Sequence, residues 1–407
     1  MDSSTPDHPT DHPAPERRSP LLDRPGAVPA SPPDAGVAAH YGDPLREQRL
    51  AETAAVVVDR SNRDVVRVDG PDRLSWLHSL TSQHLAELAP MRGTEALLLS
   101  PHGHVEHHLV VADDGASTWL DVEPGTAAAL VGFLESMRFL LRVEPVDAGG
   151  QTAVLSLLGP RSDEVVEAVF GAAAVPPAAE RTTAPDAAGA VTTGPYPVTR
   201  ARTGAGDEGG DGGGATAGAG DTLVRRMPYG LDLLVPRAGL ADVVDRLTAA
   251  GAGLAGLAAF EALRIADRRP RLGLDTDHRT IPHEVGWLAS AVHLDKGCYR
   301  GQETVARVHN LGRPPRRLVL LHLDGAVAAA GCQVTAGGRS VGFVGSSQMH
   351  HELGPIALAV VKRSVAADTP LVVSDPDGNP VAAAIDPDSG PALPERPAGR
   401  LHRPVSA

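Results

Sequence analysis

The sequence predicts an α+β fold that ends in a compact all-β unit. Strand-like and helix-like segments alternate through most of the chain without the regular spacing of βαβ repeats, which is typical of α+β domains. After Pro314 and Pro315 the pattern changes to short β runs separated by glycine and proline. At 407 residues the chain exceeds the size of one hydrophobic core, so we expect two or three domains.

The ordered part is predicted to begin near Tyr41 and to alternate strands with helices. Short β-branched runs predict strands, and these runs are AVVVD, VVRVDG, ALLLS, HVEHHLVVA, STWLDV, VEPVD and TAVLSLLG. Apolar residues at helical spacing predict helices, and these segments are DRLSWLHSLTSQHLAEL, residues 126–139 and SDEVVEAVF. The Asp114-Gly115 pair indicates a hairpin turn between two of the strands.

The second half of the chain continues to alternate strands and helices, and its last part is predicted to contain strands alone. LVRRMPYGLDLLVP predicts two strands, and GLADVVDRLTAAG and AGLAAFEALRIADRR predict helices. The last strands are predicted within residues 313–386, at RRLVLLHL, GCQVT, SVGFVGSS, IALAVVK, LVV and VAAAI. We interpret the two prolines before them as a hinge.

Three stretches have the composition of disordered chain. Residues 1–40 form an acidic tail with nine prolines, which buries too little apolar surface to offset the entropy lost on ordering. A flexible insertion is predicted at about 175–221, where nine of the seventeen residues from 204 to 220 are glycine. Residues 387–407 are predicted to be a third disordered segment.

Charge and cysteine content limit the classes of function. A formal net charge of -13 gives no general attraction to nucleic acid or anionic lipid, so we expect no direct DNA binding. No run of 18 apolar residues is present, so we expect no membrane span. The N-terminus lacks the apolar segment of a secretory signal, which predicts a cytoplasmic location with Cys298 and Cys332 reduced.

Residues 295–305, DKGCYRGQETV, carry the clearest chemical signal. Gly297 and Gly301 flank Cys298 and permit a tight loop that presents the thiol. Lys296, one of two lysines in the chain, would favour the reactive thiolate through its positive charge. The alternative is that Cys298 is a buried residue that only fills space. The polar neighbours make this alternative less favourable.

The octapeptide KGCYRGQE resembles the K-G-C-Y-x-G-Q-E motif of YgfZ-type folate-binding proteins, which belong to the wider glycine cleavage T-protein family. Weaker similarities lie in DGPDRLSWLHSLTSQ, YGLDLLVP, AFEALRIADRRPRLG, TIPHEVGWL and VGFVGSSQMHHELGPIALAVV. The resemblance implies a folate-binding region of ferredoxin-like α+β subdomains over residues 41–312. It implies a small C-terminal β-barrel over residues 313–386.

The same resemblance implies a function. The cofactor would be tetrahydrofolate or another reduced folate, and the partners would be iron–sulfur client or assembly proteins. The protein would support cluster assembly or repair, including that of cluster-dependent tRNA-modifying enzymes. Cys298, assisted by Lys296, would be a transient ligand or redox group, because two cysteines cannot complete a four-thiolate site. No conventional enzymatic activity is predicted.

The resemblance also implies folate contacts. Asp232 in YGLDLLVP and Glu284 in TIPHEVGWL stand where T-proteins carry acidic residues, and Arg264 stands at a T-protein arginine. Tyr299 and Gln302 of the motif complete the implied binding residues. Alternatively, Arg264 pairs only with Glu261 one turn away. A basic group could collect around one anionic ligand, and it comprises Arg264, Arg268, Arg269, Arg271, Arg313, Arg316 and Arg317.

The main rival is a folate-dependent aminomethyltransferase of T-protein type, which would make the protein a one-carbon transferase. T-proteins carry G-G-x-x-D-D on a strand of the first domain, whereas the stretch here is HGHVEHHLV, with His107 and His108 in place of the acids. The expected carboxylate is therefore missing, while the cysteine motif that T-proteins lack is present. This pattern favours the YgfZ branch.

Two further sites are alternatives. Strand alternation would place His102, His104 and His108 on one face with Glu106, a set that suits zinc or iron. We instead interpret these histidines as part of a solvated or cleft-lining strand, with no metal. A cysteine hydrolase would pair Cys298 with His293 or His309 as base. Such a pair requires spatial contact, and no oxyanion loop is recognisable.

Overall fold

A computed structural model describes residues 17–178, 181–183, 191–193, 196–202, 221–312 and 314–389. The α+β fold with a C-terminal barrel, predicted from the sequence, is confirmed. No helix within these ranges is long and apolar enough to cross a bilayer.

The N-terminal segment, residues 17–40, is ordered, which corrects the predicted disorder of residues 1–40 for this part. It contains a 3₁₀ helix, Pro20–Asp23, and two paired strands, β1 Val28–Pro29 and β2 Ala38–His40. Leu21 is fully buried in the hydrophobic core, and Arg17 pairs with Asp64 at 3.0 Å. The prediction of disorder from composition is wrong here because composition does not include the contacts that this segment makes with the rest of the fold. Residues 1–16 lie outside the described residues.

Eleven strands form one large sheet. Their bounds are β3 Val56–Asp59, β4 Asp64–Asp69, β5 Arg92–Leu99, β6 Val105–Asp113, β7 Ser117–Val122, β8 Glu144–Asp147, β9 Thr152–Leu158, β12 Tyr196–Arg202, β13 Asp221–Met227, β14 Gly230–Pro236 and β15 Gly253–Ala255. The spatial order is β15-β3-β9-β14-β13-β12-β5-β6-β7-β4-β8. All neighbours are antiparallel except β15 and β3. Strands β10 Arg181–Thr183 and β11 Val191–Thr193 pair separately.

The helices cover the sheet and connect it to the barrel. They are α1 Pro44–Thr53, α2 Arg73–Leu80, α3 Ala127–Ser136, α4 Ser162–Phe170, α5 Leu240–Ala249, α6 Leu257–Ala266, α7 Trp287–Ala291 and α8 Gln302–Leu311. Helix α2 packs Trp76 and Leu77 against the half of the sheet that contains β5 and β6. Helix α6 packs Ile265 against Leu320 and Ile356 of the barrel, so the two regions share apolar contacts.

Strand β12 joins the two halves of the sheet. It pairs with β13 over five residues and with β5 at only two, and Tyr196 at its start is buried. The prediction of a flexible insertion over 175–221 is therefore corrected for residues 196–202, whose β-branched and aromatic residues are sheet members. The glycine-rich stretch 203–220 lies outside the described residues.

Six strands close the C-terminal barrel. They are β16 Arg316–Leu323, β17 Gln333–Ala336, β18 Arg339–His350, β19 Gly354–Lys362, β20 Leu371–Ser374 and β21 Pro380–Ile385, in the order β16-β19-β18-β17-β20-β21. Alternate residues of these strands, such as Val319, Leu321 and Val344, fill its interior. Described structure continues to Ser389, whose hydroxyl accepts the Leu320 N–H at 3.0 Å. The predicted disorder of the C-terminal tail from 390 onward lies outside the described residues.

Candidate functional site

The loop that carries Cys298, residues 295–301, lies against the turn between β5 and β6. Gly301 has φ 82°, and a Cβ there would meet Ser100 O at 2.6 Å and Gly103 Cα at 2.9 Å. Gly103 would likewise meet Thr304 at 2.6 Å. These two glycines are therefore required by close backbone approach. Nothing lies within 4 Å of a Cβ at Gly297, so that position has space for a side chain.

The two cysteines differ in exposure. Cys298 is exposed, whereas Cys332 is partly buried and packs against the barrel core. Both are free thiols. Neither His293 nor His309 forms a hydrogen bond with Cys298 among the described residues, so the geometry of a cysteine hydrolase is not formed. The exposed thiol is instead available to a partner molecule.

Lys296 has other partners than the Cys298 thiolate. Its ammonium donates to the carbonyl oxygens of His78, Thr81 at 2.6 Å and Gln83 at 3.2 Å, at and beyond the end of α2. Burial lowers the pKa of Lys296 to about 8, which leaves the ammonium as the main form at neutral pH. This charge is directed to a helix C-terminus, where cations are favoured, and the role of Lys296 in thiolate formation stays a prediction.

Tyr299 and Gln302 also support the loop. Tyr299 is buried beside Trp287, and burial raises its pKa to about 12. Gln302 donates from Nε2 to the Lys296 carbonyl at 3.2 Å. Among the described residues, neither side chain forms a hydrogen bond with Asp232 or Arg264, so the loop and the implied folate residues form two separate sites.

Asp232 lies in a buried polar centre on β14. Its carboxylate accepts from Ser156 Oγ at 2.6 Å, Tyr229 Oη at 2.8 Å and Arg225 Nη2 at 2.9 Å. Arg60 adds a second positive contact at 3.6 Å, so both carboxylate oxygens of Asp232 already have partners within the protein.

A continuous network of ion pairs connects Asp232 to Arg264. It runs through Arg225, Asp121, Arg63, Glu123, Arg271 and Glu261, and then continues from Arg264 to Asp275. Although burial opposes ionisation, the surrounding arginines lower the pKa values of Asp121 and Glu261 to about 2. These carboxylates are therefore charged at neutral pH. The structure thus brings Asp232 and Arg264 into one network, and Arg264 does pair with Glu261.

Glu284 belongs to a different cluster. Its carboxylate accepts from Arg316 Nη2 at 2.7 Å, and Arg316 Nη1 also pairs with Asp277 at 2.6 Å. Arg316 begins the barrel, so this cluster joins the barrel to the α+β region. Glu284 is therefore placed as a structural link, apart from Asp232 and Arg264.

The predicted basic group does not converge on one ligand. Arg264 and Arg271 share the network, whereas Arg268 pairs with Asp386 at 2.8 Å. Arg317 donates to the carbonyls of Ser389 and Val365. Arg313 lies outside the described residues. Most of these arginines are thus used by the fold.

A small cavity borders the network. Its volume is about 10 Å³, room for about one water molecule, and its lining includes Arg60, Arg63, Phe260 and Arg271. Arg60 lies 4.1 Å above the Phe260 ring, and Arg269 lies 4.2 Å above Tyr229. Flat aromatic surfaces beside guanidinium groups suit a planar heterocycle with an anionic end. The residue types therefore suit reduced folate, but the cavity is far smaller than the roughly 300–1,000 Å³ of such ligand sites, so it has no room for folate in this conformation.

The histidines of HGHVEHHLV do not form a metal cluster. Strand β6 begins only at Val105, and a β-bulge interrupts the alternation that the sequence predicted. Glu106 pairs with Arg300 at 2.9 Å. In the described part of the chain, the group with metal-ligand spacing is Glu52, His350 and His351. His350 Nδ1 already accepts two backbone N–H groups, so its Nε2 carries the proton and is a poor ligand.

His107 and His108 lie in different surroundings. Burial lowers the pKa of His107 to about 4. His108 stacks on Trp287 at 4.6 Å, and its Nε2 lies 2.9 Å from Glu95. Glu95 also accepts from Tyr196 Oη and from Ser290 Oγ at 3.0 Å. Burial alone would raise its pKa, but these donors lower the pKa of Glu95 to about 2.

Glu95 should contribute to stability in a defined pH window. Its folded-state pKa lies below the ordinary value, so the contribution is full above about pH 4.5 and is lost as the pH falls toward 2. In the wild type, the free energy of unfolding should fall as the pH drops through this window, because Glu95 takes up a proton on unfolding. We expect Glu95→Gln to reduce the slope of this fall by up to about 1.4 kcal/mol per pH unit, the value for one proton. Urea titrations from pH 2 to 6 measure this slope. Glu135→Gln, at an exposed position of α3, should keep the wild-type slope, and equal slopes for all three proteins would contradict the assignment.

Several residues of these sites escape sequence reasoning. Glu95, Asp34 and Arg225 follow no motif, and each has partners more than 100 positions away along the chain. Alternation on β13 offers one signal, because Arg225 falls between the buried Leu223 and Met227 on one face of the strand. A buried arginine requires a carboxylate, but sequence does not identify which one.

Comparisons with known proteins agree with this architecture. Residues 39–201 match the family described as the GCVT N-terminal domain, and residues 316–387 match the glycine cleavage T-protein C-terminal barrel domain. The aminomethyltransferase T of the glycine cleavage system from Bartonella henselae has a similar fold. The TM-score is 0.70 at 18% identity, over 90% of this chain and 94% of that one. The α+β region and the barrel together define a T-protein-like chain.

Sequence relatives extend over most of the chain. A protein of Arabidopsis thaliana, named as a candidate chloroplastic transferase, is 26% identical over 78% of this chain and 67% of its own length. An aminomethyltransferase of Symbiobacterium thermophilum is 28% identical over 79% of this chain and 82% of its own length. The chain belongs to the glycine cleavage T-protein superfamily.

Proposed function

We propose that this protein is a folate-binding member of the YgfZ branch that assists the assembly or repair of iron–sulfur clusters. The observation that carries the proposal is the exposed Cys298 thiol on the KGCYRGQE loop. Lys296 and Gly301 hold that loop by their contacts, while the Cys298 side chain stays exposed. A thiol in this position can exchange a ligand with a client protein, which a buried cysteine cannot do.

Reduced folate is the proposed cofactor. The cavity beside Arg271 and Phe260 offers cationic and aromatic surfaces, and the network carries both Asp232 and Arg264. Bound tetrahydrofolate would supply one-carbon or redox chemistry. The chain's own residues would orient the pterin and neutralise its carboxylates.

The proposed partners are iron–sulfur clients or assembly proteins, including enzymes of tRNA modification. We propose a cytoplasmic location and no direct binding to DNA. The chloroplastic name of one relative means that the compartment differs among members of the superfamily. The function is tested by deleting the gene and assaying cluster-dependent enzymes with and without oxidative stress, and unchanged activities would refute it.

A second candidate function is aminomethyl transfer, which several relatives carry as their name. The specific observation in its favour is Glu95, whose carboxylate lies 2.9 Å from His108 and restores an acid near the substituted position. An assay for ammonia release from an aminomethyl-lipoyl carrier separates the two functions. Turnover by the wild-type protein would favour this candidate, and a gain only in His108→Asp would favour the first.

Substitution of Cys298 should abolish function without affecting the fold. Because the side chain is exposed, Cys298→Ser should keep the wild-type melting temperature while failing to complement a deletion strain. Cys332→Ser is the matched control and should complement fully, since Cys332 packs against the barrel core. Full complementation by Cys298→Ser would instead identify a folate-binding module that acts only through protein contacts.

A further inference from the structure

The N-terminal strap, defined as residues 17–40, lies almost entirely outside the matched family domain, which begins at residue 39. Its N-terminal end is fixed to the α+β region. Arg17 pairs with Asp64, Ser19 donates to buried Asp59, and Leu21 is fully buried. Its middle reaches the arginine network described above.

Asp34 is the strap residue that enters the network. Its carboxylate accepts from Arg271 Nη2 at 2.8 Å and Nη1 at 2.9 Å. Asn62 Nδ2 adds a third donor at 2.7 Å. This paired geometry is the one by which guanidinium groups bind carboxylates. Only 7% of the surface of Asp34 is exposed, so its carboxylate is bound in a buried site, as the carboxylate of a ligand would be.

Asp34 also lines the cavity beside Phe260 and Arg271. The cavity volume of about 10 Å³ is far below the roughly 300 Å³ at which small-molecule sites begin. The carboxylate end of a folate molecule would therefore not fit while Asp34 is in place, whereas a ligand without a carboxylate does not need this subsite. Removal of Asp34 would both enlarge the cavity and leave two donors of Arg271 without their partner.

We infer that Arg271 and Asn62 form a carboxylate-binding subsite, and that Asp34 occupies it until a carboxylate-bearing ligand displaces it. The inference rests on the proposed function, in which that ligand is reduced folate with its glutamate carboxylates. One carboxylate replaces another, so the net charge of the network is unchanged. Arg271 keeps Glu123 and Glu261 as partners in both states.

The strap then sets the apparent affinity. A ligand that binds only the open form has its affinity reduced by the fraction of molecules that are open. Removing the Asp34 carboxylate increases that fraction. We expect Asp34→Ala to bind the probe about tenfold more tightly, equivalent to about 1.4 kcal/mol. Asp34→Asn, which keeps the shape but loses the charge, should fall between Asp34→Ala and wild type.

The experiment uses the full-length protein and 5-formyltetrahydrofolate as the probe, with calorimetric titration. Asp23→Ala is the matched control, because Asp23 is an exposed strap residue that pairs only with Arg18 among the described residues. It should bind like wild type. Hydrogen exchange provides a second readout, since probe binding to wild type should increase exchange in residues 17–40. Equal affinities for wild type and Asp34→Ala, with unchanged exchange, would overturn the inference while leaving the proposed cofactor intact.

A carboxylate-free probe separates displacement from simple blocking. 6-Methyltetrahydropterin has no carboxylate, so Asp34→Ala should not change its affinity. An equal gain for both probes would overturn the carboxylate subsite. If neither wild type nor any Asp34 variant binds 5-formyltetrahydrofolate, the proposed folate function fails, and the inference fails with it.

Discussion

Replacing Arg225 with methionine is expected to lower the free energy of unfolding by about 4 kcal/mol, the range found when a buried charge loses its partner. Arg225 is fully buried and pairs with both Asp121 and Asp232. Methionine fills a similar volume but leaves these carboxylates with fewer donors in a dry interior. Urea denaturation measures the loss, and an unchanged m-value would show that the unfolding transition itself is the same.

Arg226→Met is the matched control, one residue along the same strand. Arg226 points to the opposite face and pairs with Asp163, which is 49% exposed. Arg226 also donates to the Pro176 and Pro177 carbonyls, but Asp163 stays solvated when the arginine is lost, so the loss should be smaller, at about 2 kcal/mol or less. Equal losses for the two variants would mean that the network around Arg225 does not stabilise the fold.

Lys296→Met should cost about 3 kcal/mol, because buried carbonyl oxygens that lose their donor each cost roughly 1 kcal/mol or more. The ammonium serves three carbonyls at and beyond the end of α2. Thermal or urea unfolding measures the effect. Lys362→Met, the same change at the other lysine, is the control. Among the described residues its exposed ammonium donates only to the Ser340 carbonyl, so stability should change little.

The same variant separates the two roles considered for Lys296. If the ammonium serves only the carbonyls, iodoacetamide should alkylate Cys298 in folded Lys296→Met at least as fast as in wild type. Cys332 reports on unfolding, because it is partly buried. A tenfold slower reaction at Cys298, with the fold intact, would return Lys296 to the thiolate role.

The regular elements could be predicted because their signals are local. The leucine stripe of α2 and the alternating barrel strands are repeated patterns that one face of a helix or sheet imposes. The exposure of Cys298 follows similarly from its polar neighbours. The barrel boundary is also local, since Pro314 and Pro315 immediately precede β16.

The sites were harder to predict because their partners are distant in sequence. Lys296 meets carbonyls more than 200 positions earlier, and no local pattern in the sequence indicates these contacts. Arg271 was recognised as basic, but its partner Asp34 lies in a segment whose composition predicts disorder. Composition indicates how much apolar surface a segment can bury by itself. It does not indicate which ion pairs and apolar contacts the segment can form with the rest of the fold.

The Asp34–Arg271 pair also determines the order in which the chain can be completed. The two residues are 237 positions apart. At a synthesis rate of about 5–20 residues per second, Arg271 leaves the ribosome roughly 10–50 s after Asp34. The strap is made first, yet its central contact forms only after two thirds of the chain has emerged. Protection of residues 17–40 from protease on a nascent chain would therefore report that translation has passed Arg271.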